Sequence, residues 1–149
     1  MGLTAGQAGN QNRSFINVKQ SVKVCVVSSQ SSFGEAVTTA LRLATVGVYH
    51  STAEALDQIP RSDDADKPGM VVVDLTNASE ADRLIHFLKW SAPTNHVLIV
   101  GVGHDSDFTA LEPGALRLLD GAVKAPFTRF QLAAAAHAAV SLRSEQLRA

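Results

Sequence analysis

Short runs of aliphatic residues alternate along this chain with longer segments in which apolar residues recur every three or four positions. The short runs predict five β-strands, at residues 22–27, 45–49, 70–74, 96–102 and 122–125. Three of them, with the sequences VKVCVV, MVVVD and HVLIV, are almost continuously aliphatic. Runs of this kind are typical of strands in a parallel sheet that helices cover on both faces.

Four segments between and after the strands carry a helix-start signal, a Ser or Thr followed three residues later by an acid or an amide. The hydroxyl can accept a hydrogen bond from a free backbone N–H of the first turn, while the later side chain reaches back. These pairs are Ser32/Glu35, Ser51/Glu54, Ser79/Asp82 and Thr128/Gln131. Because single helices separate the strands, the predicted fold class is α/β: a (βα)5, doubly wound, parallel five-stranded sheet in a flavodoxin-like three-layer sandwich.

Two helical regions depart from this simple pattern. The fourth linking region is interrupted by Pro113-Gly114, which predicts two short helical pieces in place of one helix. The last helix, at residues 128–148, is longer than coverage of a sheet requires, and its centre, LAAAAHAAV, is apolar nearly all round. Small outward residues let another backbone approach, but Ala is also the best helix former, so a protein contact there and plain helix stability are both open.

Composition and charge limit the class of protein. The chain has 149 residues, of which 46% are hydrophobic and 18% charged, enough for one domain with a buried core. Residues 1–20 are predicted to be a flexible N-terminal arm and residues 21–149 the domain. Thirteen basic against fourteen acidic residues disfavour binding to nucleic acid or to a membrane surface. With one cysteine and no apolar leader, a cytoplasmic protein without disulfides is expected.

Candidate chemistry lies where the strands end, because the working crevice of an open parallel sheet is beyond their carboxyl ends. Asp74 ends the third hydrophobic strand, although burying a carboxylate costs several kcal/mol unless it is paired. Taken alone, this residue is as well explained as a strand-end cap as by a function. The other candidate positions at the strand ends are Ser28, Ser29, Thr76, Gly101, Lys124 and Ala125.

The order of elements, Asp74 after the third strand and the segment DGAVKAPF at residues 120–127 together resemble the receiver domain of bacterial two-component response regulators. The resemblance, to the chemotaxis-protein type, covers roughly residues 21–145. It implies that Asp74 stands at the position that accepts a phosphoryl group from a histidine kinase, and that Pro126-Phe127 matches the end of a Lys-Pro-Phe motif. It also implies Mg²⁺ as the cofactor, held by an acidic pair after the first strand.

The departures from that family pattern affect the metal first. Ser28 and Ser29 stand where the acidic pair is expected, so the formal charge of the pocket falls from about −3 to about −1, and Mg²⁺ prefers carboxylate oxygens. Poor Mg²⁺ binding is therefore expected, with nothing to offset the charge of a transferring phosphoryl group.

Other family positions are also changed. Gly101 stands at the position of a Thr or Ser that contacts the phosphoryl group, and Ala122 at that of a switching aromatic residue. Ungapped alignment places Ala125 at the position of the lysine, which leaves Lys124 on the opposite face of the strand unless a bulge brings it back. The bond Ala125-Pro126 can be cis, as in the family.

These departures favour a pseudo-receiver, a non-catalytic signalling module that acts by protein–protein interaction and independently of phosphorylation. Its expected partners are a protein or a histidine kinase, with a possible homodimer through the fourth-helix region and the last helix; no cofactor and no metal are expected. The first alternative is a functional phospho-acceptor that uses Asp74, Mg²⁺ and Lys124. The second is a ligand binder that holds a small anion or nucleotide between Ser28, Ser29, Thr76 and Gly101.

Overall fold

A computed structural model of the chain describes residues 22–41, 45–61 and 68–148. The predicted N-terminal arm, residues 1–20, lies outside the described residues. Five strands form one parallel sheet: β1 (Val24–Val27), β2 (Thr45–Tyr49), β3 (Met70–Asp74), β4 (Leu98–Gly103) and β5 (Gly121–Lys124). Their spatial order is β2-β1-β3-β4-β5, and every neighbouring pair is parallel. The predicted doubly wound α/β fold is confirmed.

Helices cover both faces of this sheet. They are α1 (Ser31–Ala40), α2 (Thr52–Gln58) with a 3₁₀ turn (Ile59–Arg61), α3 (Ala78–Trp90), α4 (Asp105–Ala110), α5 (Pro113–Leu118) and α6 (Arg129–Arg148). Buried residues of α2, α3 and α5 form the core on one face, and those of α1 and α6 form the core on the other. Within the described ranges, no helix has the length and apolar content that a membrane span requires.

The central strand β3 shows why polar chemistry is confined to the strand ends. It lies between β1 and β4 and has helices on both faces, so Val71 and Val73 join one core while Met70 and Val72 join the other. All four are buried, and only Asp74, the last residue of the strand, is half-buried. Since a carboxylate in the middle of such a strand would lose its hydration without a partner, the strand end is the first position that tolerates it.

Two of the four predicted helix starts are confirmed. Ser51 Oγ accepts a hydrogen bond from Glu54 N at 3.1 Å, which caps α2. Before α6, Gln131 N donates to Thr128 Oγ1 at 3.1 Å and Thr128 N donates to Gln131 Oε1 at 2.8 Å. The second pair satisfies two otherwise free backbone donors reciprocally, as the capping-box pattern predicts.

The other two predicted helix starts are wrong. Helix α1 begins after Gln30, and no side chain caps it. Helix α3 is capped by Asn77, whose Oδ1 accepts from Glu80 N at 3.3 Å, so Ser79 lies inside the first turn. Asn is as good a cap as Ser and comes first along the chain, which explains the displacement.

The interrupted fourth linking region is confirmed as two six-residue helices, α4 and α5. Pro113 takes the first position of α5, where its missing N–H costs nothing. The junction between the two helices is fixed from α3, because Asp82 Oδ1 accepts a hydrogen bond from Glu112 N at 3.1 Å. The Asp82 side chain therefore accepts the hydrogen bond that Glu112 N would donate to a backbone carbonyl in an uninterrupted helix.

An ion pair ties three elements together at the amino ends of the strands. Lys89 Nζ, near the end of α3, donates to Asp120 Oδ2 at 2.7 Å and to Val97 O at 2.8 Å. The same carboxylate oxygen accepts from Ile99 N of β4 at 2.8 Å. The side chains of Lys89 and Asp120 are 12% and 28% exposed, so the pair is largely withdrawn from water.

We expect Asp120→Ala to lower the free energy of unfolding by about 2–4 kcal/mol, because it leaves the Lys89 ammonium and the Ile99 N–H without their acceptor in a partly buried place. Urea unfolding followed by circular dichroism measures the change. The matched control is Asp57→Ala, which breaks the exposed Arg61–Asp57 pair of 3.3 Å and should cost less than about 1 kcal/mol. Equal losses in the two variants would contradict this role of Asp120.

Candidate functional site

The Asp74 carboxylate is held by hydrogen-bond donors of the protein itself. Ser28 Oγ donates to Asp74 Oδ2 at 2.7 Å. Thr76 N donates to Asp74 Oδ1 at 3.0 Å, and the Thr76 hydroxyl donates to the same oxygen. Both carboxylate oxygens are therefore engaged by neutral groups, which compensate part of the hydration that the half-buried side chain loses.

The strand order brings Ser28 and Asp74 together although they are 46 residues apart along the chain. Strands β1 and β3 are neighbours, and Val27 lies opposite Val73. The residues that follow them, Ser28 and Asp74, therefore lie side by side at the carboxyl ends of the two strands. Ser28 is buried, and its Oγ also accepts from Gln30 N at 3.0 Å, which orients the hydroxyl toward Asp74.

A magnesium ion does not fit the residues present at this edge. Mg²⁺ takes oxygen ligands in octahedral geometry and relies on carboxylates, whereas Ser28 and Ser29 offer only neutral hydroxyls. Asp74 is thus the one carboxylate among these three residues, and both of its oxygens already accept hydrogen bonds from Ser28 or Thr76. In the part of the chain that the structure describes, no three His, Cys, Asp or Glu side chains come together in a way that could hold a metal ion.

Gly101, on β4, faces apolar side chains. A Cβ built at this position would lie 3.0 Å from Leu75 Cδ1 and 3.1 Å from Leu119 Cδ1. Contacts of 3.0–3.4 Å are tighter than nearly all real Cβ contacts, so these leucines fill the space that a larger side chain at position 101 would need. Gly101 also provides no hydroxyl toward Asp74.

Lys124 lies on β5 and contacts a different carboxylate. Its Nζ is 3.1 Å from Asp105 Oδ1 in the first turn of α4, and both side chains are exposed. The pairing of β4 with β5 runs from Val100–Gly121 to Gly103–Lys124 without a shift of register, so no bulge redirects this lysine. Ala125 follows it, donates its N–H to Gly103 O at 2.8 Å and precedes a cis bond to Pro126.

The structure thus gathers three of the predicted site residues, Ser28, Asp74 and Thr76, into one hydrogen-bonded cluster. Ser29 is exposed beside it, while Gly101, Lys124 and Ala125 make none of its hydrogen bonds. The cavity that the described residues form beside Asp74 is lined by Ser28 and Ser29 but by neither Thr76 nor Gly101, so the four residues predicted to hold an anion do not share it.

That cavity was not predicted from the sequence. It is a cleft of about 310 Å³ between the ends of β1 and β3 and the starts of α2 and α3. Its polar lining comes from Ser28, Ser29, His50, Ser51, Thr52, Asp74, Asn77, Glu80 and Arg83. The rule that ligands bind at the carboxyl ends of the strands also covers the end of β2, and it would have pointed to residues 50–52.

Cys25 is the one thiol of the chain, and it lies in the middle of β1. Burial raises its pKa to about 11, and a hydrogen bond with Tyr49 opposes the increase without cancelling it. Since the thiolate is the nucleophilic form, this cysteine is unreactive near neutral pH and takes no part in the site.

Comparison with known proteins defines the fold class of the chain. No family model matches it, and no curated protein matches its sequence. Solved structures do match: a response regulator receiver domain protein from Clostridium thermocellum has 16% identity and a TM-score of 0.63, covering 85% of this chain and 98% of that one. The chain therefore has the fold of response-regulator receiver domains.

Two further solved structures agree with this assignment of the fold. The chemotaxis response regulator CheY4 of Vibrio cholerae has 13% identity and a TM-score of 0.64, with 79% of this chain and 98% of that chain covered. A sensor protein from Polaromonas sp. JS666 has 20% identity and a TM-score of 0.66, with 80% and 96% covered. At such identities the likeness concerns the fold alone.

We expect Gly101→Thr to lower the free energy of unfolding by about 1–3 kcal/mol, because the new side chain must displace Leu75 and Leu119. Adding Leu119→Ala should relieve the overlap, so the two changes should couple favourably by about 1 kcal/mol in a double-mutant cycle. Urea unfolding of the wild type, the two single variants and the double variant gives the four free energies of unfolding.

The matched control for this cycle is Ala122→Thr, which adds the same side chain at the exposed position paired with Gly101 on β5. It should change stability by no more than about 0.5 kcal/mol. Additive effects of Gly101→Thr and Leu119→Ala would contradict the contact between these two positions.

Proposed function

We propose that this chain is a pseudo-receiver, a cytoplasmic signalling module of a two-component pathway that acts by protein–protein interaction without accepting a phosphoryl group. The observation that carries the proposal is the state of Asp74. Both of its carboxylate oxygens accept hydrogen bonds from Ser28 and Thr76, and neither partner is charged. The carboxylate at the phospho-acceptor position is used as a structural acceptor between β1 and the turn after β3.

Electrostatics support the same conclusion. A transferring phosphoryl group brings negative charge to the attacked carboxylate, and catalysis of such transfer depends on fixed positive charge around it. Ser28 and Thr76 supply only neutral dipoles, and Lys124 pairs with Asp105. The residues at the strand ends also do not fit Mg²⁺. Each of these features raises the barrier to phosphorylation of Asp74.

The surface proposed for protein contact is the partner face, defined as the exposed residues of α5 and α6, the helices that precede and follow the edge strand β5. It carries large apolar side chains in water: Phe130 and Leu142 of α6 are 72% and 54% exposed, and Leu116 of α5 is also exposed. Ala134 and Ala138 lie exposed between Phe130 and Leu142 on α6 and leave room for a close approach. We propose that this face binds a second copy of the chain, a histidine kinase or another protein.

An amide NMR titration with Mg²⁺ and then beryllofluoride, a phosphoryl mimic, tests the state of Asp74. We expect no saturable shifts at Ser28, Asp74 or Thr76, because Asp74 offers the one carboxylate beside the neutral hydroxyls of Ser28 and Ser29, and Mg²⁺ relies on several carboxylate oxygens. A variant with Ser28→Asp and Ser29→Asp restores two carboxylates and should show Mg²⁺-dependent shifts at these residues. The matched control, Ser28→Asn with Ser29→Asn, is similar in size without the charge and should show none.

Saturable shifts in the wild type that disappear in Asp74→Ala would overturn the proposal. That outcome would establish the pocket as a working phospho-acceptor site, and phosphorylation by a histidine kinase would become the function to examine.

Sedimentation velocity over a range of concentrations tests the partner face. We expect the wild type to form a dimer that Ala138→Glu converts to a monomer, because the new carboxylate would be buried at the contact without a partner. The matched control is Ala92→Glu, at an exposed position after α3 and outside the partner face, which should leave the dimer intact. A wild type that is monomeric at every concentration would contradict self-association through this face.

A further inference from the structure

The cleft beside Asp74 has the size of a site for a small ligand. Its volume of about 310 Å³ corresponds to roughly ten water molecules and lies at the lower end of the range for small-molecule pockets. It has three walls: the ends of β1 and β3, the junction of β2 with α2, and the first two turns of α3. A ligand in the cleft would therefore touch residues from distant parts of the chain.

Helix α3 brings two opposite charges to this cleft. Glu80 and Arg83 are one turn apart, and both line the cavity. They do not pair with each other, and within the described residues neither charged group makes an ion pair or a side-chain hydrogen bond. Asn77, at the start of the same helix, uses only its Oδ1, which leaves its amide N–H groups free among these residues.

Hydroxyl groups and the imidazole of His50 supply the rest of the polar lining. The hydroxyls of Ser29 and Thr52 make no hydrogen bond in the portion of the chain that the structure describes, and both groups line the cavity. The Asp74 carboxylate also lines the cleft, and its oxygens accept hydrogen bonds from Ser28 and Thr76. The cleft therefore offers uncommitted donors on three walls and an uncommitted carboxylate on one.

The charges select among classes of ligand. A metal ion is disfavoured because Arg83 lines the same cavity and no set of metal-ligating side chains occurs among the described residues. A phosphate dianion is disfavoured because it would lie beside both Asp74 and Glu80, with only Arg83 as a fixed positive charge. A ligand that carries one positive and one negative group satisfies both free charges of α3.

From these contacts we propose that the cleft binds a small zwitterion of the α-amino acid class. The Arg83 guanidinium and the Asn77 amide hold its carboxylate, and Glu80 holds its ammonium group. Ser29 and Thr52 contact the remainder of the ligand. Binding would give this signalling module a chemical input at the strand ends, and it does not depend on the partner face.

The test is an amide NMR titration of the full chain, without Mg²⁺, with each of the twenty standard amino acids. At least one should produce saturable shifts confined to residues 28–29, 50–53 and 74–83. Acetate and ethylammonium, which each carry one of the two charges, should bind to the wild type at least about tenfold more weakly than that amino acid does. The same amino acid should bind at least about tenfold more weakly to Arg83→Gln and to Glu80→Gln than to the wild type. The matched control is Arg117→Gln, at an exposed arginine of α5 outside the cleft, which should bind like wild type.

Three results would overturn the proposal: no saturable shift with any amino acid, shifts of equal affinity with acetate, or saturation by inorganic phosphate alone. Both substitutions, at Glu80 and Arg83, are on α3 at positions that are not buried. A dispersed NMR spectrum of each variant shows that it folds. This titration contains neither Mg²⁺ nor beryllofluoride. A negative result would therefore overturn the proposed amino-acid site without bearing on the phosphorylation of Asp74.

Discussion

Burial of the central strand on both faces is the constraint on which the remaining features of this domain depend. Residues 70–73 of β3 are enclosed by β1, by β4 and by two helical layers, so none of them can carry a charge at an acceptable cost. Charged side chains are consequently displaced to the two edges of the sheet. The carboxyl-end edge holds Asp74, and the amino-end edge holds the pair of Lys89 and Asp120.

The two partly buried aspartates at the ends of the strands, Asp74 and Asp120, differ in their hydrogen-bond donors. Asp120 accepts from a lysine ammonium and from a backbone N–H of β4, so its charge is neutralised locally and it ties α3 to the sheet. Among the described residues, Asp74 accepts hydrogen bonds from the neutral groups of Ser28 and Thr76 and makes no ion pair, so no cationic side chain compensates it there. Residue type and burial alone do not distinguish these two roles, whereas the charge of the hydrogen-bond donors does.

The strands and the doubly wound order were predictable because aliphatic runs and helical spacing are local patterns. The helix starts at Ser51 and Thr128 were predictable from the local capping pattern, whereas at α3 Asn77 stands two residues before Ser79 and takes the cap. The contacts of the site depend on strand order and loop packing, and no local pattern encodes them. The bond of Ser28 to Asp74 and the packing of Leu119 against position 101 are of this kind.

The changes at the strand ends support one another. The hydroxyl at position 28 donates directly to Asp74 Oδ2 and, unlike a carboxylate at that position, adds no negative charge beside it. At Gly101, the missing side chain lets Leu75 and Leu119 pack against β4, so a hydroxyl-bearing residue there would have to displace them. A substitution at Ser28 would therefore break the hydrogen bond to Asp74, and a larger residue at Gly101 would displace the two leucines. On the proposal that this chain is a pseudo-receiver, a gain of phosphorylation would need changes on both β1 and β4, since Ser28 bonds Asp74 from the end of β1, and Leu75 and Leu119 pack against Gly101 of β4.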